Sequence, residues 1–480
     1  MPTDDSDLLP SSPFSKTLAF AGVFEAGARR TPQLSVEIAY SLTNSHPPTG
    51  IIRGTSADYS ALEHFFMAKR EPLCTLRSVS IEREAIICTD VHIQRIREQR
   101  FPKDEQSTIH QVLGRFSIER VDIRTELRTP AAVKKRQAVF LLTGPSRLWL
   151  CDAMRTLSYT GDVSVKHRDP ALPLDSVRDQ ISTAPHFVYA EYPRGKGTPR
   201  ETGQAELFAL TVDDSFDVAR DGTAFTADSS ALTDRLCLLM SFLSKTYISW
   251  FACTYSDGHE VLQSYRNVRA TDSEAPRWEE LLLYAADIRP FLNQAFAGYE
   301  KSTLSGFDLR MPMLHYIWAQ SSRFAEDRFT TLFFALEKLL SSLDERDPED
   351  DLLTDPELRK LWRVMCPTLE EMGKTPKQME LIFAKRRELQ RAPLIHRIKR
   401  HLSALGIDIS DIGGEAGLRI MARVRNLLAH EKGEVPIDEV DYETRRLETI
   451  VERMLLKLLS WSGNIRSPTY YNHPIRDEDS

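Results

Sequence analysis

The spacing of the apolar residues changes once along this chain, and the change restricts the folds open to it. Leu34, Val36, Ile38, Tyr40 and Leu42 alternate with polar or small residues, the period-two pattern of a strand buried on one face. Leu418, Met421, Val424 and Leu428 recur instead at three- and four-residue intervals, the stripe of an amphipathic helix. A pleated face and a helical stripe need different packing partners, so the two patterns call for two kinds of layer in succession. The expectation is an α+β chain: a strand-rich N-terminal domain, sandwich or distorted barrel, followed by an all-α helical bundle.

Residues 1–12 read as a disordered tail and 13–272 as the β-rich domain. Further strand-like runs are Val79–Cys88, Phe116–Leu127, Ala138–Leu142 with Arg147–Cys151, Asp162–Lys166, Phe187–Tyr192 and Leu207–Val212. Helical pieces near Ser60–Lys69 interrupt them. A long helix over Ser229–Phe251 and a short hairpin through Ser256–Gly258 end the domain. The polar stretch Arg269–Pro276 marks the boundary, and 273–465 reads as helix throughout. The predicted helices are Trp278–Tyr299, Met313–Leu343, Pro356–Met372, Pro376–Leu405, Ala416–His430 and Asp438–Ser462, in a bundle of about five, with Asp438 as an N-cap. Residues 466–480 form a second tail.

Composition narrows the function classes. A chain of 480 residues is too long for one ordinary core. A net charge of −7 argues against a general nucleic-acid coat, so any RNA contact must be local. Six scattered cysteines without a Cys-x-x-Cys pair point to a reducing cytoplasm. Cys74, Cys88 and His92 lack a fourth ligand at a usual spacing, and no metal or cofactor is expected. The apolar run Ala231–Cys253 contains Asp234, Arg235 and Lys245, which makes it a core helix and not a membrane span. The chain opens acidic and polar, without a secretion signal. No His-Glu-x-x-His, Gly-x-Ser-x-Gly or Gly-Lys phosphate loop occurs.

The chemistry-bearing stretch is Arg423-Val-Arg425-Asn426-Leu-Leu-Ala-His430-Glu-Lys432-Gly433. Opposite the apolar stripe, Arg425 and His430 stand on two shoulders about 140° apart, with Asn426 between them on the solvent side. Gly433 supplies a stop. Upstream, Lys385, Arg386, Arg387, Arg391, Arg397, Lys399 and Arg400 make a basic stretch that is either a phosphate contact or a solvated face.

Arg, a polar residue, three more residues and His on a helix resembles the active-site motif of HEPN ribonucleases. Together with Phe329-Thr-Thr-Leu-Phe-Phe-Ala-Leu-Glu337-Lys-Leu-Leu, the helical half resembles the ApeA-like branch found in bacterial abortive-infection proteins. The resemblance implies a HEPN bundle and metal-independent RNA cleavage in anti-phage defence, with a phage-derived trigger. The implied substrate is cellular RNA, tRNA among the classes the family suggests. Arg425, His430 and Asn426 are then the catalytic candidates. His430 suits proton transfer and Arg425 suits developing phosphate charge. Lys399, Arg400, Arg423 and Lys432 are the cations expected to meet the substrate. Glu337 either supports Arg425 or His430 or is a boundary position with its head in water. The wide angle between Arg425 and His430 makes one helix a poor clamp for one phosphate, so a homodimer pairing two motifs is expected, as in the family. The alternative is a catalytically silent HEPN scaffold that binds RNA or a protein.

Overall fold

The computed structural model describes residues 15–41, 47–54, 58, 62, 65, 74–79, 84–96, 111–126, 136–143, 181–193, 202–214, 222–256, 260–268, 282–283, 287–344, 355–384, 392–430 and 435–465. The chain is α+β and divides into two compact units, 1–280 and 281–480. The boundary expected at 272 falls outside the described residues, as do both tails, the runs Arg147–Cys151 and Asp162–Lys166, and nearly all of Ser60–Lys69.

The first unit is built on a closed barrel. Its strands are β1 (Ser15–Ala26), β2 (Arg29–Arg30), β3 (Leu34–Ser41), β4 (Thr49–Gly54), β5 (Cys74–Ser78), β6 (Glu84–Ile96) and β7 (Gln111–Glu126). The hydrogen-bonded order β4-β3-β1-β5-β6-β7 closes on itself because β4 also pairs with β7. All these pairings are antiparallel. The alternation read from the sequence sets the inside: Leu34, Val36, Ile38 and Tyr40 are buried, with Phe24, Ile52, Leu76, Cys88, Phe116 and Ile118. Side chains fill the interior. Phe116 meets Phe24 edge-on at 5.6 Å. It lies so close to Gly50 that a Cβ there would come within 2.2 Å of its ring, so this wall position must be glycine.

Strand β7 is long enough to pair both within the barrel and with the strands beyond it. Its first half pairs with β4, while residues from Arg120 to Glu126 pair with β12 (Glu260–Arg266). From there the sheet runs on through β11 (Trp250–Ser256), β8 (Arg136–Leu142), β10 (Thr202–Asp214) and β9 (Ile181–Pro193). Of the expected run Val79–Cys88 only Glu84–Cys88 is described as strand, since β5 stops at Ser78 and β6 starts at Glu84. The long helix also lies earlier than expected, over Gly222–Ser244 (α1). Lys245 takes a left-handed φ of 56°. Ser241 Oγ then accepts the Ile248 N–H at 2.8 Å, turning the chain out of the helix. Trp250 and Phe251, expected at the helix end, stand in β11 instead. An apolar run is equally at home in a buried helix or strand, and here the local hydroxyl bonds decide.

The second unit is helical: α2 (Ile288–Leu304), α3 (Arg310–Gln320), α4 (Ala325–Asp344), α5 (Asp355–Glu371), α6 (Pro376–Ala384), α7 (Leu394–Ala404), α8 (Gly414–His430) and α9 (Ile437–Leu458), with a 3₁₀ turn at Ser410–Ile412. Eight are described where six were predicted in a bundle of about five, because two predicted helices are each interrupted. Met313–Leu343 divides at Ser321 and Ser322, whose hydroxyls both bond back to the Trp318 carbonyl. Within Pro376–Leu405, Pro393 stands at the N-cap of α7. Trp278–Tyr299 starts late, at Ile288. Pro436 and not Asp438 is the N-cap of α9. Asp438 sits inside the first turn, where a carboxylate favours the positive end of the helix dipole.

Helix α9 is the centre of this unit and is buried on nearly every side. Its polar residues are therefore satisfied internally. Glu452 accepts the Tyr316 hydroxyl at 2.6 Å, and Glu448 pairs with Arg328 at 2.7 Å.

Candidate active site at the end of helix α8

Two helices place the candidate residues. Helix α4 buries Phe329, Leu332, Phe333, Leu336, Leu339 and Leu340, and Glu337 stands one turn after Phe333, at the edge of that stripe. Helix α8 buries Leu418, Met421 and Val424, and Arg425 stands one turn after Met421 in the same edge position. The two edges meet. Arg425 Nη2 donates to Glu337 Oε1 at 3.3 Å, and its Nη1 donates to Asn426 Oδ1 at 3.3 Å. The guanidinium carbon lies 5.3 Å from the centre of the Phe333 ring. Both partners of the ion pair are 39% exposed, so the pair contributes at most about 1 kcal/mol to stability. Its consequence is orientation. A carboxylate, an amide and a ring fix the guanidinium plane, and a guanidinium with five N–H donors keeps others for an incoming anion.

His430 is the last residue of α8. The His430 side chain and Lys432 lie outside the described residues.

The other expected cations are placed differently. Lys399 pairs with Glu415, which Arg419 also holds at 2.8 Å. These two cations, Lys399 first, lower the Glu415 carboxyl to about 2. Arg400 bonds Asp344 Oδ1 at 3.2 Å. Glu415 lies ten residues before Arg425, roughly 15 Å along α8, so Lys399 does not join Arg425 at one site. Arg423 donates to Glu439 at 2.6 Å, across to α9.

Sequence reasoning missed two arrangements. Asp344 closes α4 and accepts His401 Nε2 at 2.6 Å and Arg397 Nε at 2.8 Å. His401 is buried between Ile398 and Leu402 on α7, and a polar group on an apolar stripe is itself a signal that a partner exists. The second is Arg446 of α9, which bonds the Ile412 carbonyl at 2.8 Å and the Gly417 carbonyl at 3.2 Å and pairs with Glu443. It thereby anchors the first turn of the helix that carries Arg425.

Burial pushes the Glu443 carboxyl up to about 7, against the pull of the Arg446 guanidinium. A carboxyl whose folded value lies above its unfolded value of about 4.3 costs stability when it ionises. That cost is absent below about pH 4.3, grows as pH rises towards 7, and is constant above. The urea midpoint of the wild type should therefore fall across this window relative to that of Glu443→Gln. Parallel pH profiles for the two proteins would discount Glu443 as the group responsible.

Among the described residues no three or more His, Cys, Asp or Glu side chains are grouped to hold a metal ion. No described helix is long and apolar enough to cross a membrane. Comparison of the chain with protein-family models, with curated proteins and with solved structures found no match.

Proposed function

We propose that the protein is a metal-independent endoribonuclease of the HEPN type, ApeA-like, acting on cellular RNA in anti-phage defence in the cytoplasm. The observation that carries this reading is the Arg425 guanidinium, oriented by Glu337, Asn426 and Phe333 on the last turns of the helix that ends in His430. In the proposed reaction the ribose 2′-OH attacks the adjacent phosphorus, already held within reach by the substrate itself. The His430 imidazole moves the proton. Arg425 stabilises the charge that gathers on the phosphate oxygens, and Glu337 keeps its plane fixed. The 5′-oxygen leaves and takes a proton, giving a 2′,3′-cyclic phosphate and a 5′-hydroxyl.

Two chains facing each other across a two-fold axis would bring both Arg–His pairs to one cleft, so the active form in this reading is a homodimer. A phage-derived trigger acting through the β-rich unit belongs to the same proposal.

The test is cleavage of total cellular RNA in excess EDTA, with analysis of the new ends. Cyclic or 3′-phosphate ends opposite 5′-hydroxyls are expected, and a single 2′-deoxy substitution at the cleaved nucleotide should block cutting. Products with 5′-phosphates, or activity restored only by Mg²⁺, would overturn the mechanism. Tight RNA binding without any cleavage would favour the silent scaffold.

A further inference from the structure

Helices α3 and α4 share a face that their own packing leaves uncovered. On α3, Met311, His315 and Trp318 follow one another at four- and three-residue steps, along one side of the helix. On α4, Phe334 and Lys338 are likewise four residues apart. His315 joins the rows: its ring lies 5.4 Å from Trp318, edge-on, and 6.1 Å from Phe334. Trp318 is nevertheless 45% exposed and Phe334 50%. Burial, and then the charge of Lys338, hold the His315 imidazole below its usual value, so the ring is neutral near pH 7.

This face adjoins the Arg425 site. Phe334 and Glu337 are three residues apart, neighbours on the helix surface at about 5–6 Å between Cβ atoms. Glu337 in turn holds Arg425 at 3.3 Å. We infer that Trp318, His315 and Phe334 form a stacking platform for one unpaired base of single-stranded RNA, beside the phosphate that Arg425 would hold. The inference rests on the ribonuclease reading and adds to it a substrate class, a strand with a base free to splay out.

Chemistry and size favour this occupant. The exposed groups are ring systems, which match the faces of any base, and stacking on them is tolerant of sequence. Lys338 beside the rings and Arg425 beyond Glu337 complement a phosphate backbone. A protein partner is less well matched, since a stable interface engages about 20–30 residues on each side, whereas this face offers four apolar or aromatic side chains.

The experiment uses the full chain and a short single-stranded RNA in which every 2′-OH is methylated, so that binding is read without cleavage. An abasic position is walked along this RNA. At one position its presence should weaken wild-type binding on the order of tenfold. The Trp318→Ala/Phe334→Ala variant should lose affinity to a similar degree for the intact RNA, and lose nothing further from the abasic site. Trp318→Phe with Phe334→Tyr should restore binding. Unchanged affinity in the alanine variant would sink the platform. So would a shift from dimer to monomer in light scattering with RNA affinity per chain preserved, which would assign the face to a second copy. Wild-type cleavage measured alongside separates the two failures. A wild type that cuts RNA while the alanine variant binds normally loses only the platform, and a wild type that neither binds nor cuts loses the ribonuclease reading as well.

Discussion

Replacing His430 or Arg425 by alanine should each lower RNA cleavage by about two to three orders of magnitude, the range for losing a proton-transfer group or a donor to transition-state charge. The two losses should not add, because the groups act on one phosphate. Arg425→Lys should rescue little. A lysine keeps the charge but has no planar fork to span Glu337, Asn426 and a phosphate together. Folding should survive the Arg425 change, since its ion pair is exposed and worth at most about 1 kcal/mol. Circular dichroism and the thermal midpoint check that condition, and initial rates on a labelled RNA give the effect. A rate within a few fold of wild type for both alanine variants would remove these residues from the chemistry.

The second large effect is on stability. Arg446→Ala should cost about 3–5 kcal/mol, because it leaves the buried Glu443 without its cation and the Ile412 and Gly417 carbonyls without a donor. Glu443→Leu combined with Arg446→Met should be milder than Arg446→Ala alone, as it removes the stranded buried carboxyl, though the two carbonyls stay unsatisfied. The neighbouring glycine reports on the same contact. A Cβ on Gly417 would stand 2.8 Å from Arg446 Nε and 2.7 Å from the Ile412 carbonyl oxygen. Gly417→Ala must therefore displace the guanidinium or the turn, and it should destabilise despite alanine's better helix propensity. Urea unfolding of the three variants orders them. A double variant as unstable as Arg446→Ala would mean that the stranded carbonyls, and not the Glu443 carboxyl, set the cost.

Several parts of this molecule were legible because they depend on near neighbours in the chain. The alternation Leu34 to Tyr40 specifies which side of β3 faces inward, whatever strand lies beside it. The stripe of Leu418, Met421 and Val424 likewise puts Arg425 at an edge of α8 and Asn426 on its exposed side. Helix ends were less legible. The stops after Ser244 and Gln320 come with local hydroxyl bonds that compete with an unbroken apolar pattern.

Contacts between distant segments had no signal of that kind. Closure of the barrel through β4 and β7 joins strands some sixty residues apart, and the sheet continues past the barrel from β7 only because β12 arrives from Glu260 onwards. The sequence offered Glu337 as a partner for Arg425 but equally as a solvated boundary residue, and the tertiary structure decides for the contact. The same packing commits Lys399 to Glu415 and Arg400 to Asp344, two cations that charge counting alone had offered to RNA. Local periodicity thus determined which face each residue takes on its own element. Which faces meet was decided only by tertiary structure, because an ion pair or a ladder between remote segments depends on where the whole chain carries them.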